Sequence, residues 1–430
     1  MTEAVPLPTT LSGWLAYIEA LHPKTIEMGL GRVSKVVRRL NLNPNFPIIT
    51  VTGTNGKGSA CAMLSQIYIR AGYKAACYTS PHLLRYNERV KINDIEATDH
   101  ALIQAFTAVE QARQDVPLTY FEMGTLAAMW YFIQQQVDVA ILEVGLGGRL
   151  DAVNVFEPDC AIVTSVDLDH MDYLGSTREQ IGLEKAGVFR AGKPAICGDP
   201  QPPQSLRNYA GEIGAKLQCI GQAMLVTKTR TGWQYQDESV SLSLPLPSLQ
   251  GDFQLNNAVC AVRAVMQLNQ KLPVSTTHIQ EAMRAVHLAG RFQLVGSRPQ
   301  IILDVAHNPQ AARTLADNLA QQACNGRTLA VFAMLSDKDI GGVIQALLPQ
   351  VSVWFVVSID APRGERAHNL QQRLQAFGAE VSAYGDVGQA MQAAYQVATE
   401  NDKIVVFGSF YTVAAAMTYL QKNTTAIHAK

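Results

Sequence analysis

The chain has 430 residues, 48% hydrophobic and 17% charged, with 35 basic residues against 36 acidic ones. That length and composition suit a globular protein of two or three domains with ample core. The even charge balance excludes the basic footprint of a nucleic-acid-binding protein, and seven cysteines scattered without a Cys-x-x-Cys pair suit free thiols in a reducing cytoplasm rather than a disulfide frame or a zinc site.

From the N-terminus, the opening MTEAVPLPTT carries no charged-then-apolar signal pattern, and no apolar run approaches membrane-spanning length, so a soluble, cytoplasmic protein is expected. Short β-branched runs then alternate with helical spacing. PIITVTG, KAACYTS, VDVAILEVG, CAIVTSVD and KPAICG read as strands, and 59–71, 100–114 and 125–136 as helices. Continuous apolar strands between helices indicate a parallel sheet buried on both faces. Ser176 with Glu179 three residues on predicts a capping box opening the helix that carries Lys185. From about Leu217 to Pro247 an alternating, turn-rich stretch predicts a small antiparallel subsheet. Helical patterns resume at 254–268 and 278–286. A second α/β series follows with QIILDV, TLAVFAM, VSVWFVVS and KIVVFGS. The fold expected is therefore α/β: an N-terminal parallel-sheet domain with a small antiparallel subsheet, residues 1–289, and a C-terminal Rossmann-like α/β domain, residues 290–430, with a ligand cleft between them.

Ligands of parallel α/β sheets gather beyond the C-terminal ends of strands, and the polar residues of this chain fall there. The first such loop, Gly53-Thr54-Asn55-Gly56-Lys57-Gly58-Ser59, is not the common P-loop, because two residues rather than four separate its first Gly from Gly-Lys, and Gly58 intervenes before the hydroxyl. Strand before, lysine within and helix after still favour phosphate binding over an ordinary βα turn. Glycines let backbone N–H groups curl onto a polyphosphate at a helix N-terminus, where the helix dipole favours anions. Ser80, Glu143 and His170 follow later strands. Each alone could be a cap or turn residue, yet together they form an oxygen-plus-imidazole set suited to a hard cation beside phosphates. Lys185 by its spacing alone is a solvated helix residue. Gly145 and Gly147 imitate the start of a dinucleotide fingerprint, but Leu150 stands where a third Gly is needed, which argues against a nicotinamide cofactor. In the second series, Gly290–Arg291, Asp304-x-x-His307-Asn308-Pro309 and Gly408–Ser409 with Tyr411 are the polar clusters. The middle one reads equally well as a helix N-cap and as one wall of a two-substrate site.

Taken in order, TVTGTNGKGS, YTSPHLLRYNERV, LEVGLGGRLDAVN, DLDHMDYLG, EKAGVFR, GRFQ, DVAHNP and GSFYTV resemble the folylpolyglutamate synthases, relatives of the Mur ligases that share the altered loop. The resemblance covers nearly the whole chain and is weakest over roughly 201–248. HPKTIEMGLGRV and LTYFEMGTLAAMW resemble the pterin-binding parts of the bifunctional bacterial members. The resemblance implies a ligase that adds L-glutamate to dihydropteroate and to tetrahydrofolate through an acyl phosphate, forming ADP, with magnesium. It implies ATP contacts from Gly53, Thr54, Asn55, Gly56, Lys57, Gly58, Ser59, Asn257, Arg291 and Asp304. It places metal ligation on Ser80, Glu143, His170 and a carbamylated Lys185, with Lys57, Glu143, His170 and Lys185 as the catalytic set. For folate it implies Glu27, Gly29, Leu30, Ser80, Thr119, Tyr120, Phe121, Glu122, Arg149 and Asp151, and for glutamate His307 and Ser409. A monomer is expected. The alternatives are a chain-extender without dihydropteroate activity, a Mur-type wall ligase and, from another class, an ATP-binding regulatory module.

Overall fold

The computed structural model describes residues 7–24, 26–361 and 363–427; the N-terminal MTEAVP and Thr25, inside the HPKTIEMGLGRV segment, lie outside the described residues. The chain divides into two compact units. One runs to Ser248 and includes Gln254–Val286; the other comprises Leu249–Phe253 and the chain from His287 on.

In the first unit the strands are β1 (Ile48–Thr52), β2 (Ala75–Tyr78), β3 (Val90–Ile92), β4 (Ile95–Glu96), β5 (Val139–Glu143), β6 (Cys160–Val163), β7 (Pro194–Cys197) and β8 (Lys216–Cys219). Their order across the sheet is β4-β3-β2-β5-β1-β6-β7-β8. From β2 to β8 neighbours run parallel, and the β3–β4 hairpin adds antiparallel strands at one edge. All five residues of β1 and of β5 are buried, as expected of strands covered on both faces. Glu143 is the last residue of β5, so its carboxylate emerges where an apolar strand stops.

Two helices absent from the sequence reading, Leu11–Ala20 and Gly31–Leu40, pack near the helix Asp99–Arg113. Trp14 is fully buried and stacks on Phe106 at 5.9 Å between ring centroids. The subsheet consists of β9 (Leu225–Lys228), β10 (Trp233–Gln236) and β11 (Ser241–Leu244), joined antiparallel. The stretch Lys216–Cys219, which the alternating pattern assigned to that subsheet, instead extends the large sheet as a parallel edge strand. An edge strand has one half-exposed face, so its pattern looks like a hairpin's. The capping box expected at Ser176 and Glu179 does not form: Thr177 is the N-cap, its Oγ accepting from the Gln180 N–H, while Glu179 reaches across to the N–H groups of Gln204 and Ser205.

The second unit holds β12 (Gln293–Ser297), β13 (Gln300–Leu303), β14 (Thr328–Phe332), β15 (Val353–Val357), β16 (Glu380–Tyr384) and β17 (Lys403–Phe407), in the order β12-β13-β17-β14-β15-β16. Apart from the antiparallel β12, neighbours are parallel, giving the Rossmann-like α/β layer expected. Its core gathers Phe332, Trp354 and Phe407, with the Phe332 and Phe407 rings 4.9 Å apart. The strand β16, largely exposed, was invisible to a search for apolar runs.

Candidate functional site

Because β2, β5, β1 and β6 are parallel neighbours, the loops that follow them open at one edge of the first sheet. The loop after β1 turns at Gly53, with φ of +150°, where an added Cβ would lie 1.9 Å from Thr164 Oγ1. At Gly56, with φ of +88°, a Cβ would lie 2.4 Å from Asn257 Oδ1. Only glycine fits either place, and the second brings Asn257, a residue of this same unit, onto the loop. The loop is fixed to the chain after β6: Thr54 N–H donates to Ser165 O (2.9 Å), Asn55 N–H to Ser165 Oγ (3.0 Å) and Thr164 Oγ1 to Asn55 O (2.6 Å). The helix Lys57–Arg70 then starts at Gly56 with no side-chain cap. Lys57 Nζ folds back on Gly53 O at 3.0 Å. Ser59 is 1% exposed, and its hydroxyl has no hydrogen-bond partner. A buried orphan hydroxyl is costly unless a ligand satisfies it.

Glu143 is 4% exposed, and Ser80 N–H donates to its Oε2 at 3.1 Å, so the structure joins these two directly beside the β1 loop. His170 adopts a left-handed backbone, φ +51°, and donates its N–H to Asp169 Oδ1 at 2.9 Å; its Nε2 lies 4.0 Å from Asp169 Oδ2. Lys185 is almost fully buried. Burial and then repulsion from Lys57 lower its pKa to about 7, against the pull of Asp169 and Asp151. Lys57, Asp151, Asp169 and Lys185 thus share one electrostatic neighbourhood. Among the described residues no three His, Cys, Asp or Glu side chains gather closely enough to hold a metal by themselves. Magnesium suits such a place, since it takes few protein ligands and fills its shell with water and phosphate oxygens; the orphan Ser59 hydroxyl and the Ser80–Glu143 pair fit that requirement.

The loop after β5 is built differently. Asp151 accepts from Leu146 N–H (2.9 Å) and Val153 N–H (3.0 Å), and burial, only partly offset by these bonds, pushes its pKa up to about 7. Thr52 Oγ1 donates to Gly147 O at 2.5 Å. Arg149 N–H donates to Glu184 O at 2.8 Å, and its guanidinium meets Glu184 Oε1 at 2.7 Å. A Cβ on Gly148 would lie 2.8 Å from Glu184 O and 2.9 Å from Lys185 O. This loop therefore docks the helix Arg178–Ala186, and with it Lys185.

The N-terminal segment reaches the same loop through Gly29 N–H, which donates to Leu150 O at 3.1 Å, while Leu30 leads into the helix Gly31–Leu40. Glu27 is held by His22 (3.1 Å) and Arg32 (3.3 Å). Arg32 also pairs with buried Glu122 at 3.0 Å. Thr119 and Glu122 form a capping box at the start of the helix Tyr120–Gln134, Phe121 fills the space where a Gly145 side chain would stand, and Arg89 lies over the Tyr120 ring at 5.6 Å. Arg32 ties together two groups singled out from the sequence and was itself missed; an arginine one turn beyond Gly29, on the face toward the segment, was the available signal.

In the second unit, β13 and β17 are neighbours whose C-terminal ends carry the remaining candidates. Asp304 accepts from Phe292 N–H (2.8 Å) and Ala306 N–H (2.7 Å). Burial raises its pKa, opposed by those bonds and by Arg291. Arg291 lies over the Phe410 ring at 5.2 Å, and the His307 ring is 6.3 Å from the same ring. His307 Nδ1 is 2.8 Å from Val305 O. Buried Ser409 shares a 2.6 Å hydrogen bond with Thr412, and Asn308 caps the helix Pro309–Gln321. Phe410, the aromatic centre of this cluster, was not singled out from the sequence, where it reads as an ordinary core residue. Among the described residues no helix is long and apolar enough to cross a membrane.

Comparison with known proteins yields two family matches: the Mur ligase middle domain over residues 51–265 and the Mur ligase glutamate ligase domain over residues 290–410. A dihydrofolate synthase/folylpolyglutamate synthase of Escherichia coli K12 is 46% identical over 409 residues, 95% of this chain and 94% of that one. The structure of E. coli FolC in complex with DHPP and ADP superposes with a TM-score of 0.94 at 43% identity, covering 98% of this chain and 100% of that one. A bifunctional folylpolyglutamate synthase/dihydrofolate synthase with Mn, AMPPNP and L-glutamate bound gives a TM-score of 0.91 at 43% identity, covering 97% and 100%.

Proposed function

The chain belongs to the dihydrofolate synthase/folylpolyglutamate synthase family of Mur-type ligases, and we propose that it uses ATP to join L-glutamate to dihydropteroate, giving dihydrofolate, and to tetrahydrofolate, lengthening its glutamate chain. The observation that carries this reading is the uncapped helix start at Gly56 with the orphan Ser59 hydroxyl and the Lys57 ammonium on one rigid loop. Such a loop is a preformed seat for phosphates.

The acceptor carboxylate attacks the γ-phosphorus, ADP departs, and the α-amine of L-glutamate then displaces phosphate from the acyl carbon. Gly53–Ser59 hold the phosphates, and Lys57 turns from its loop carbonyls to counter the charge that builds during transfer. Asn257, Arg291 and Asp304 complete the ATP contacts. Ser80, Glu143, His170 and Lys185 as its carbamate are the residues that would hold magnesium, which would supply neutralisation of phosphate charge. Carbamylation needs a neutral amine, and burial of Lys185 favours that form. Glu27, Gly29, Leu30, Thr119–Glu122, Arg149 and Asp151 are assigned to the folate, Arg149 as the cationic group and Asp151 as the residue that shapes its loop. His307 and Ser409 are assigned to the incoming glutamate. One chain carries all these groups, which supports a monomer, and seven free cysteines support a reducing, cytoplasmic location.

Phosphate release from ATP with L-glutamate tests the reading when dihydropteroate, tetrahydrofolate and no acceptor are compared. Turnover with both acceptors, each product one glutamate heavier, is expected. Turnover with tetrahydrofolate alone leaves a chain-extender and removes the dihydropteroate assignment. No turnover in folded, ATP-binding protein favours the regulatory module.

A further inference from the structure

Away from the ligase residues, the outer edge of the first sheet carries a pair of thiols that this activity does not use. Cys197 ends β7 and Cys219 ends β8, and the two are direct partners in the parallel register of those strands. Register partners project to the same face, and adjacent strands lie about 4.8 Å apart, inside the roughly 4.4–6.8 Å Cα separation that a disulfide spans. The two thiols are near enough to shift each other's titration. Both are free cysteines and both are buried. Cys219 ends β8, the last strand at that edge of the sheet among the described residues, and only Ile220 separates it from the turn at Gly221.

We propose that Cys197 and Cys219 form a reversible disulfide when the protein meets a peroxide. The roles divide between them. The neighbouring Cys197 and the Arg207 guanidinium lower the Cys219 thiol to about 7, whereas Cys197, beside Cys219 and buried, is pushed up. Cys219, on the edge strand, is thus the nucleophile, and Cys197, on the strand inside it, the resolving thiol. The Cys219 thiolate attacks one peroxide oxygen, the O–O bond breaks, and the other oxygen leaves as hydroxide, which takes up a proton to become water. The Cys219 sulfenic acid is then attacked by the Cys197 sulfur. Its S–O bond breaks, and that oxygen leaves as a second water with the Cys197 proton. Both sulfurs are oxidised and one peroxide is reduced to two waters.

A third thiol stands close enough to compete: a Cβ on Gly198 would lie 2.5 Å from Cys260 Sγ, and Cys160 acts electrostatically with Cys260. Only the Cys197–Cys219 pair has register geometry, so the link formed discriminates between the pairs.

The test treats the full-length reduced protein with hydrogen peroxide, alkylates remaining thiols under denaturing conditions, and maps the peptides by mass. The expected result is joint loss of Cys197 and Cys219 from the alkylated pool, a linked peptide pair containing both, and its release by dithiothreitol. In Cys197→Ser protein, dimedone is expected to label Cys219. Full alkylation of both cysteines after peroxide, or a link from either one to Cys260 or Cys160, overturns the proposal. The wild-type map decides the matter even if the variant fails to fold.

Discussion

Two glycine-rich loops follow neighbouring strands of the first sheet, and they are built for opposite purposes. The loop after β1 leaves its helix start uncapped and its buried Ser59 hydroxyl unmatched. The loop after β5 turns its polar groups inward: Asp151 takes two backbone N–H groups, Gly147 O accepts from Thr52, and Arg149 closes on Glu184. Glycine content therefore does not identify a phosphate site. The deciding feature is whether a buried polar group at the loop is left unmatched within the protein. The first loop keeps such a group in the Ser59 hydroxyl, and the second uses its polar groups to hold its own shape and the helix beside it.

Substitutions sharpen that contrast, with turnover as the readout for the first loop and stability for the second. Lys57→Ala is expected to lower ligase turnover by about 10³-fold, the upper range for one charge-stabilising donor, with little change in thermal midpoint. Ser59→Ala, also measured by phosphate release, is expected to cost about 10²-fold while relieving an orphan hydroxyl, so its stability stays level or rises. An equal loss of stability in either variant would break the comparison. Asp151→Ala is expected to act the other way. It strands the Leu146 and Val153 N–H groups and destabilises the protein by about 1–3 kcal/mol, seen in urea unfolding, while ATP affinity measured by calorimetry is retained. Lys185→Met is read as stability against pH in bicarbonate-free buffer. The folded pKa of Lys185 is lowered from the usual lysine value to about 7. Its neutral form gives stability that is fully present above the unfolded pKa and declines as pH falls toward 7. The variant is expected to remove that slope, raising the thermal midpoint by a few degrees at pH 7 while abolishing ligase activity.

Where the chain signals through continuous apolar runs, as in β1, β5, β6, β13, β14, β15 and β17, the fold was legible from residue order alone. Strands with mixed faces were not. Lys216–Cys219 read as part of a hairpin because an edge strand alternates like one, and Glu380–Tyr384 carries too little apolar character to be noticed. The helix at Leu11–Ala20 was hidden because no strand precedes it to frame it. In the site, Gly53–Ser59 was readable because lysine, glycines and hydroxyl stand within seven residues of one another. Arg32 and Phe410 were not, since each acquires its place only through partners far away in sequence, Glu122 for one and Arg291 with His307 for the other. Lys185 shows the same limit: its spacing describes a surface helix residue, and only packing of the β5 loop against its helix buries it.

The central claim is that the Gly53–Ser59 loop presents ATP to a carboxylate of the acceptor, and oxygen-18 reports on that directly. Dihydropteroate labelled with oxygen-18 in its carboxylate would be incubated with the protein, ATP and L-glutamate, and the released phosphate analysed by mass. The account predicts one labelled oxygen in the phosphate for each amide formed, because that oxygen bridges carbon and phosphorus in the acyl phosphate. Unlabelled phosphate accompanying amide formation would contradict it.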